Sequence, residues 1–189
     1  MRQSRQSGPP QGEAEVPLSR VVEVVRTYLE LRSLEQLKPT VTADAAIQFV
    51  YREHIAPDHY RRLYHAVGDQ WHWHDRNAWS DDQLAAHLSS PNVSVWECLA
   101  AGHTAGFFEL VRCDDDSVEI AYFGLVQAFM GRGLGKAMLT RAAQQAWALG
   151  PSRVWLHTCT LDSPRALPNY LARGFEQTRT EIHRVELPS

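Results

Sequence analysis

Apolar residues along this chain recur first at strand spacing and then at helical spacing, and the alternation of the two periods outlines the fold. Val21 to Leu31, VVEVVRTYLEL, is rich in β-branched and aromatic residues and reads as a strand, although its length and its Glu and Leu content leave a helix open. Ile47 to Arg52 is a second extended run. It leads through Pro57 into DHYRRLYHAV, where Tyr60, Leu63, Tyr64 and Val67 fall on one helical face and Gly68 offers a stop. Ser80 with Gln83 three residues later has the form of a capping box opening a short helix to about Leu88. Three strand runs follow, Val93 to Ala100, Thr104 to Arg112 and Val118 to Val126, joined by AGH and CDDDS turns as in an antiparallel meander.

The period then changes. From Gly135 onward Met138, Ala142, Ala146 and Leu149 line one helical face, and Gly150-Pro151 closes it. Val154 to Cys159 reads as a strand, Pro164 to Arg173 as a helix and Phe175 to Val185 as a last strand. This order predicts an α/β protein of three layers, a mixed central sheet flanked by helices, in one domain spanning residues 17–189. Residues 1–16, dominated by Gln, Ser, Gly, Pro and Arg, hold too little apolar surface to offset ordering entropy and are expected to be a disordered lead.

Composition narrows the partners. A net charge of −3 over 189 residues gives no general attraction to nucleic acid or anionic membrane, so any polyanion site must be local. Cys98, Cys113 and Cys159 are odd in number and widely spaced, which suits a reducing cytoplasm. No run reaches the length of a membrane helix, and the polar start lacks the apolar core of a secretory signal, so an intracellular, soluble protein is expected.

The stretch with the most chemistry is Met130-Gly131-Arg132-Gly133-Leu134-Gly135-Lys136, set between a strand and an amphipathic helix. Glycines let the backbone approach a ligand closely, and the unpaired N–H groups of a helix start attract phosphate oxygens. A pyrophosphate is the natural guest, although a tight turn with no ligand is the alternative. The spacing is neither that of a P-loop nor that of a dinucleotide fingerprint.

With these residues the chain resembles the GNAT acetyltransferase superfamily, whose motif R/Q-x-x-G-x-G/A finds its two small positions in Gly133 and Gly135. Met130 stands where Arg or Gln is usual, which leaves polar side-chain help to Arg132 or Lys136. Ala166-Leu167-Pro168-Asn169-Tyr170-Leu171-Ala172-Arg173-Gly174-Phe175 is similar to the family's A-x-x-x-Y-x-x-x-G-F segment. The resemblance covers about Val93 to Val185, and Val41 to Ser90 fits the more variable acceptor-binding part.

The resemblance implies acetyl-CoA as co-substrate, with Leu125, Val126, Met130 to Lys136 and Ser163 as its contacts, Ser163 standing where many members have Asn. It implies Tyr170 as the acid that protonates the leaving thiolate, against the alternative of a core aromatic. Glu119, fourteen positions before Gly133, matches the general base of some members, against the alternative of a solvated strand carboxylate. The N–H of Leu125 would polarise the thioester carbonyl.

The acceptor implied is an amine of a small molecule or peptide, acetylated directly in a ternary complex, and the chain is expected to be a monomer or homodimer. Its chain is also similar to bacterial members with a W-x-W-x-D-R loop, here Trp71 to Arg76. Trp71, Trp73, Asp75 and Arg76 then wall an acceptor pocket, or the tryptophans anchor a long loop while Asp75 pairs with Arg76. His72-x-His74-Asp75 lacks a further ligand set at a recognised spacing, so no metal is expected. A non-catalytic acyl-CoA sensor on the same scaffold is the competing function.

Overall fold

Each strand of the central sheet sends alternate residues to two helical layers, and that alternation sorts the apolar side chains into two cores. The computed structural model describes residues 19–42 and 44–188, so the lead expected over residues 1–16 lies outside the described residues. The strands are β1 (Ser19–Leu31), β2 (Ile47–Tyr51), β3 (Val93–Ala100), β4 (His103–Arg112), β5 (Ser117–Leu125), β6 (Arg153–Cys159) and β7 (Glu176–Pro188). The helices are α1 (Pro57–Gly68), α2 (Asp81–Leu88), α3 (Leu134–Ala148) and α4 (Ala166–Ala172).

The strands form one mixed sheet in the order β2-β3-β4-β5-β6-β1-β7. All pairings are antiparallel except β5 with β6, the two strands that flank α3 in the chain. A parallel neighbour requires a crossover, and α3 supplies it. The open choice for Val21 to Leu31 resolves to a strand, because β1 pairs on both sides, with β6 and with β7, and so gains a full ladder. Its place was not legible locally: β1 enters the sheet beyond the last strand of the meander, between two strands that lie more than 120 residues downstream.

One core lies between the sheet and α3, where Met138, Leu139, Ala142 and Ala146 pack on Leu29, Leu110, Val118 and Leu156. Leu149, expected on that helical face, lies past the end of α3 and is 38% exposed. The other core lies under α1 and α2, around Tyr60, Tyr64, Leu84 and Phe107. The Ser80–Gln83 capping box forms, with the Ser80 hydroxyl accepting from the Gln83 N–H at 3.2 Å and Gln83 Oε1 accepting from the Ser80 N–H at 2.8 Å. Gly68, the last residue of α1, is glycine for a packing reason: a β-carbon there would stand 2.5 Å from the Trp73 ring.

Candidate active site at a split in the sheet

β5 and β6 run together only from Ser117↔Arg153 to Glu119↔Trp155 and then separate. A bulge sharpens the divergence: Glu109 and Leu110 of β4 face Tyr122 and Ile120 of β5, which leaves Ala121 as an extra residue. The opening is a cavity of about 610 Å³ that passes from the glycine turn, through the split, to the α1/α2 side of the sheet.

The split leaves backbone groups unpaired. Val126 gives its N–H to Ala105 at 2.9 Å, which makes that position a hydrogen-bonded pair and its neighbour Gly106↔Leu125 a non-bonded one. The N–H of Leu125 therefore points away from β4 and into the opening. Leu125 lines the cavity, whereas Val126 is turned into the α1/α2 core. The expectation that both face a cofactor arm is corrected for Val126, whose one donor is already used inside the sheet.

The glycine turn forms the second wall. Gly131 has φ 77° and Gly133, the N-cap of α3, has φ 80°. Side-chain-bearing residues rarely adopt this left-handed conformation, and a β-carbon at Gly133 would meet only open space, so the constraint is in the backbone rather than the packing. Among the described residues no protein acceptor takes the N–H groups of residues 131 to 135. They form a cradle of donors at the positive end of a 15-residue helix. Unsatisfied donors beside an open cavity fit the phosphates of a coenzyme A.

Side chains around this cradle differ in part from the sequence expectation. Met130, Gly131, Gly133, Gly135, Lys136 and Ser163 line the cavity. Leu134 packs into the core at 7% exposure, contributing only its N–H to the helix start. Arg132 does not line the cavity, and its guanidinium stacks 5.5 Å from the Phe129 ring. A cation that sequence reasoning missed stands there instead: Arg165 lines the cavity, and its Nη1 would lie 3.6 Å from a β-carbon on Gly131. It enters from the N-cap of α4, thirty-five positions from Met130, so no local pattern could have found it. Asn169 was also missed. It ties α4 to α3 through Nδ2 donating to the Gly135 carbonyl at 3.3 Å, and its buried Oδ1 has no protein partner.

Tyr170 is 6% exposed and sits at the inner end of the split, edge-on to Phe123 and Phe175 with centroids 6.1 and 6.3 Å away. It lines the cavity and belongs to the core, so both readings of it describe one position. Burial, and secondarily the Asp162 carboxylate, push its phenol above the ordinary range, and it stays protonated at neutral pH. Asp162 is itself fixed by the Thr158 hydroxyl at 2.7 Å and the Cys159 N–H at 2.8 Å.

Glu119 is the last β5 residue paired with β6, at the base of the split. It does not line the cavity. Burial pushes its carboxyl up to about 7, with the nearby Glu109 carboxylate adding to the rise and Arg76 and Arg26 opposing it. His157 of β6 does line the cavity and is kept toward its neutral form, mainly by burial and then by Arg26.

The tryptophan loop divides its residues. Trp71, Trp73 and Asp75 line the cavity, and the Tyr122 hydroxyl reaches Asp75 Oδ2 at 3.4 Å. Trp73 also packs on Tyr64 and Tyr122 at 5.5 and 5.1 Å, so it is wall and anchor together. Arg76, expected in the acceptor pocket, turns away from it and contacts Glu109 Oε1 at 3.2 Å. Glu109 is fully buried, and it also takes the Tyr60 hydroxyl at 2.5 Å and His87 Nε2 at 2.9 Å. The physical reason is that a fully buried carboxylate must be matched, and Arg76 is the cation that reaches it, stacked on Trp79 at 3.9 Å. Arg76 thereby pins the loop from behind. Among the described residues no group of three or more His, Cys, Asp or Glu is placed to hold a metal ion, and no helix is long and apolar enough to cross a membrane.

A mixed sheet split after a bulge, with a glycine-turned helix start on one side of the opening and a buried tyrosine at its inner end, defines an α/β protein whose open site passes through the sheet and carries unpaired N–H donors at one end. The profile of the acetyltransferase (GNAT) family matches residues 55–175, and the chain belongs to that family. Solved structures share the fold. A GCN5-related N-acetyltransferase from Kribbella flavida superposes with a TM-score of 0.64 at 18% identity, over 88% of this chain and 59% of that one. A second from Sphaerobacter thermophilus gives 0.62 at 18%, over 90% and 54%. An aminoglycoside N-acetyltransferase in complex with CoA gives 0.52 at 20%, over 70% and 90%. This chain thus spans little more than half the length of the first two. No curated protein sequence matches the chain.

Proposed function

We propose that this protein transfers an acetyl group from acetyl-CoA to an amine by direct attack in a ternary complex. The observation that carries the proposal is the single cavity joining the donor-rich turn at Gly131 and Gly133 to the Asp75 and His157 side of the sheet, with the Leu125 N–H and Tyr170 between. The N–H cradle, Lys136 and Arg165 bind the phosphates, and the unpaired edge of β5 takes the pantetheine arm as an added strand would be taken. The thioester carbonyl then lies at the Leu125 N–H, which stabilises the charge that develops on its oxygen.

An ammonium must lose a proton before it can attack, and lysine-like amines hold theirs to about pH 10.4. Glu119, with proton affinity raised near neutrality, accepts that proton through water, since it stands back from the cavity. The amine nitrogen bonds to the carbonyl carbon, the carbon–sulfur bond breaks, and the thiolate takes the Tyr170 proton. The second proton shed by the acetylated nitrogen passes through water to restore the phenol, which leaves a neutral amide and free CoA thiol. Asp75 and the faces of Trp71 and Trp73 attract the cationic acceptor.

Saturable, amine-dependent release of free thiol from acetyl-CoA tests this reading across a panel of primary amines, amino acids and peptides. CoA binding by calorimetry with no turnover on that panel moves the protein to the sensor reading, and absence of CoA binding removes both. Arg165 supplies a sharper check. Substituting it by alanine is expected to weaken CoA binding about 10-fold, in line with loss of one charged contact to phosphate, and Arg132→Ala is expected to change it by less than about 2-fold. Equal losses in the two variants would mean that the Phe129-stacked Arg132 swings in and that the assignment to Arg165 is wrong.

A further inference from the structure

We infer that the acceptor amine also carries a carboxylate, as an amino acid does, and that Arg26 is the residue that binds it. The inference deepens the acetyl-transfer reading and rests on it. Arg26 lies on β1 opposite Cys159 and lines the acceptor side of the cavity. Among the described residues its guanidinium makes no ion pair and no hydrogen bond, because Glu181, opposite it on β7, is engaged by the Tyr28 hydroxyl at 2.9 Å, Arg179 at 2.7 Å and His183 at 3.3 Å.

Several arginines of the folded body are matched by carboxylates, whereas Arg141 lies between the Phe49 and Trp96 rings, away from the cavity. Arg76 meets Glu109 at 3.2 Å, Arg52 meets Glu97 at 2.7 Å, and Arg153 meets Glu30 at 3.2 Å and Asp115 at 2.7 Å. A half-buried guanidinium with no anion is costly to leave so, and its planar fork fits a carboxylate with two parallel hydrogen bonds. Glu119 lies on the same side of the sheet yet stays beyond ion-pair distance, and its proton affinity is raised on balance although Arg26 opposes the rise. Arg26 is therefore not spent on Glu119.

The opposite pole is Asp75. His157, which lines the cavity on the same face as Arg26, is held toward its neutral form by burial and then by the positive field of Arg26, with Asp162 and, less strongly, Asp75 opposing. Asp162 is already held by the Thr158 hydroxyl and the Cys159 N–H, which leaves Asp75 as the anion free to meet an ammonium. A cation and an anion set around one small space suit a zwitterion, with its ammonium toward Asp75 and its carboxylate toward Arg26. Trp71, Trp73, Val24 and Val185 supply apolar wall for an uncharged side chain. Arg26, Val24 and Val185 come from β1 and β7, outside residues 55–175, so this selectivity belongs to the strands that flank the family-matched segment.

The test compares free amino acids with their carboxamides as acetyl acceptors, in the native chain and in Arg26→Gln and Arg26→Lys, with thermal melts as the folding control. Free acids are expected to be better acceptors than the amides by about 10-fold or more in kcat/KM. Arg26→Gln is expected to raise KM for the acids by about 10- to 100-fold, the range for a lost charge-assisted pair, while leaving the amides within about 3-fold. Arg26→Lys should recover part of the loss. Equal use of acids and amides by the native chain overturns the inference and leaves acetyl transfer standing. An equal fall for both in Arg26→Gln also overturns it, because that is the signature of a charge that only tunes Glu119. Should no amine be turned over, acetyl transfer itself falls. Calorimetric titration of N-acetyl amino acids against their amides then still decides the assignment, acid-selective binding lost in Arg26→Gln supporting it and unselective binding overturning it.

Discussion

Glu119→Gln is expected to lower kcat/KM for acetyl transfer by roughly 10²- to 10³-fold and to remove the rising limb of the pH–rate profile near 7. The native limb follows from the sign of the shift. Burial and the Glu109 carboxylate raise the Glu119 carboxyl from about 4.5 in the unfolded chain to about 7 in the fold, so the base form appears only as pH passes 7. Glutamine cannot accept the proton at any pH, and only the slower background with its dependence on the amine remains.

The same shift gives an independent readout in stability. A carboxyl whose folded value is raised destabilises the fold as pH climbs from 4.5 toward 7, because the unfolded state releases the proton first. Glu119→Gln should therefore be more stable than the native chain at pH 8, by on the order of 1–3 kcal/mol, and nearly equal to it at pH 4. Urea melts at the two pH values check this. A variant that kept native activity and its limb at 7 would remove Glu119 from the mechanism.

Gly174→Ala is expected to produce the largest loss of stability, about 3–5 kcal/mol, enough to unfold much of the population. Gly174 has φ 97°, a conformation strained for any residue with a side chain, and an added β-carbon would overlap the backbone carbonyl of Gln36. That carbonyl sits in a short 3-10 turn, Leu34–Gln36, which is held against the end of α4 by the Lys38 N–H donating to the Arg173 carbonyl at 2.9 Å. Neither side can give without moving backbone. The Phe175 N–H closes α4 onto the Tyr170 carbonyl at 3.2 Å, so any residual folded protein should also show weakened activity through a displaced Tyr170. Urea denaturation within about 1 kcal/mol of native would show that the turn relaxes and that the glycine is not required for packing.

Gly174 and Arg26 mark the two extents to which the site was legible. The Gly-Phe pair after Tyr170 and the alternating glycines at 131, 133 and 135 announce themselves in sequence because their function is local: they shape the backbone of one turn. The same holds for the Ser80–Gln83 capping box and for Tyr60, Leu63, Tyr64 and Val67 on one face of α1, all satisfied within a few residues. Arg76 was misplaced because the partner that claims it, Glu109, lies thirty-three positions away. Val126 and Arg132 were grouped with cofactor contacts because they adjoin true lining positions, yet strand alternation and the Phe129 ring turn them elsewhere. Arg165 and Arg26 carried no signal, being single arginines in strands or loops of ordinary composition.

Apart from the type of β1, which it left open, the sequence by itself determined the order and type of the strands and α-helices, the mixed sheet between helices and the glycine turn before α3, since each follows from periodicity, capping or glycine conformation within a short window. Only the tertiary structure decided that β1 crosses the sheet to sit between β6 and β7, that β5 and β6 part after Glu119, and which charges face the opening. Those choices depend on hydrogen-bond ladders and burial shared between segments far apart in the chain. A buried charge takes whichever partner the fold brings within reach, and sequence distance carries no record of it.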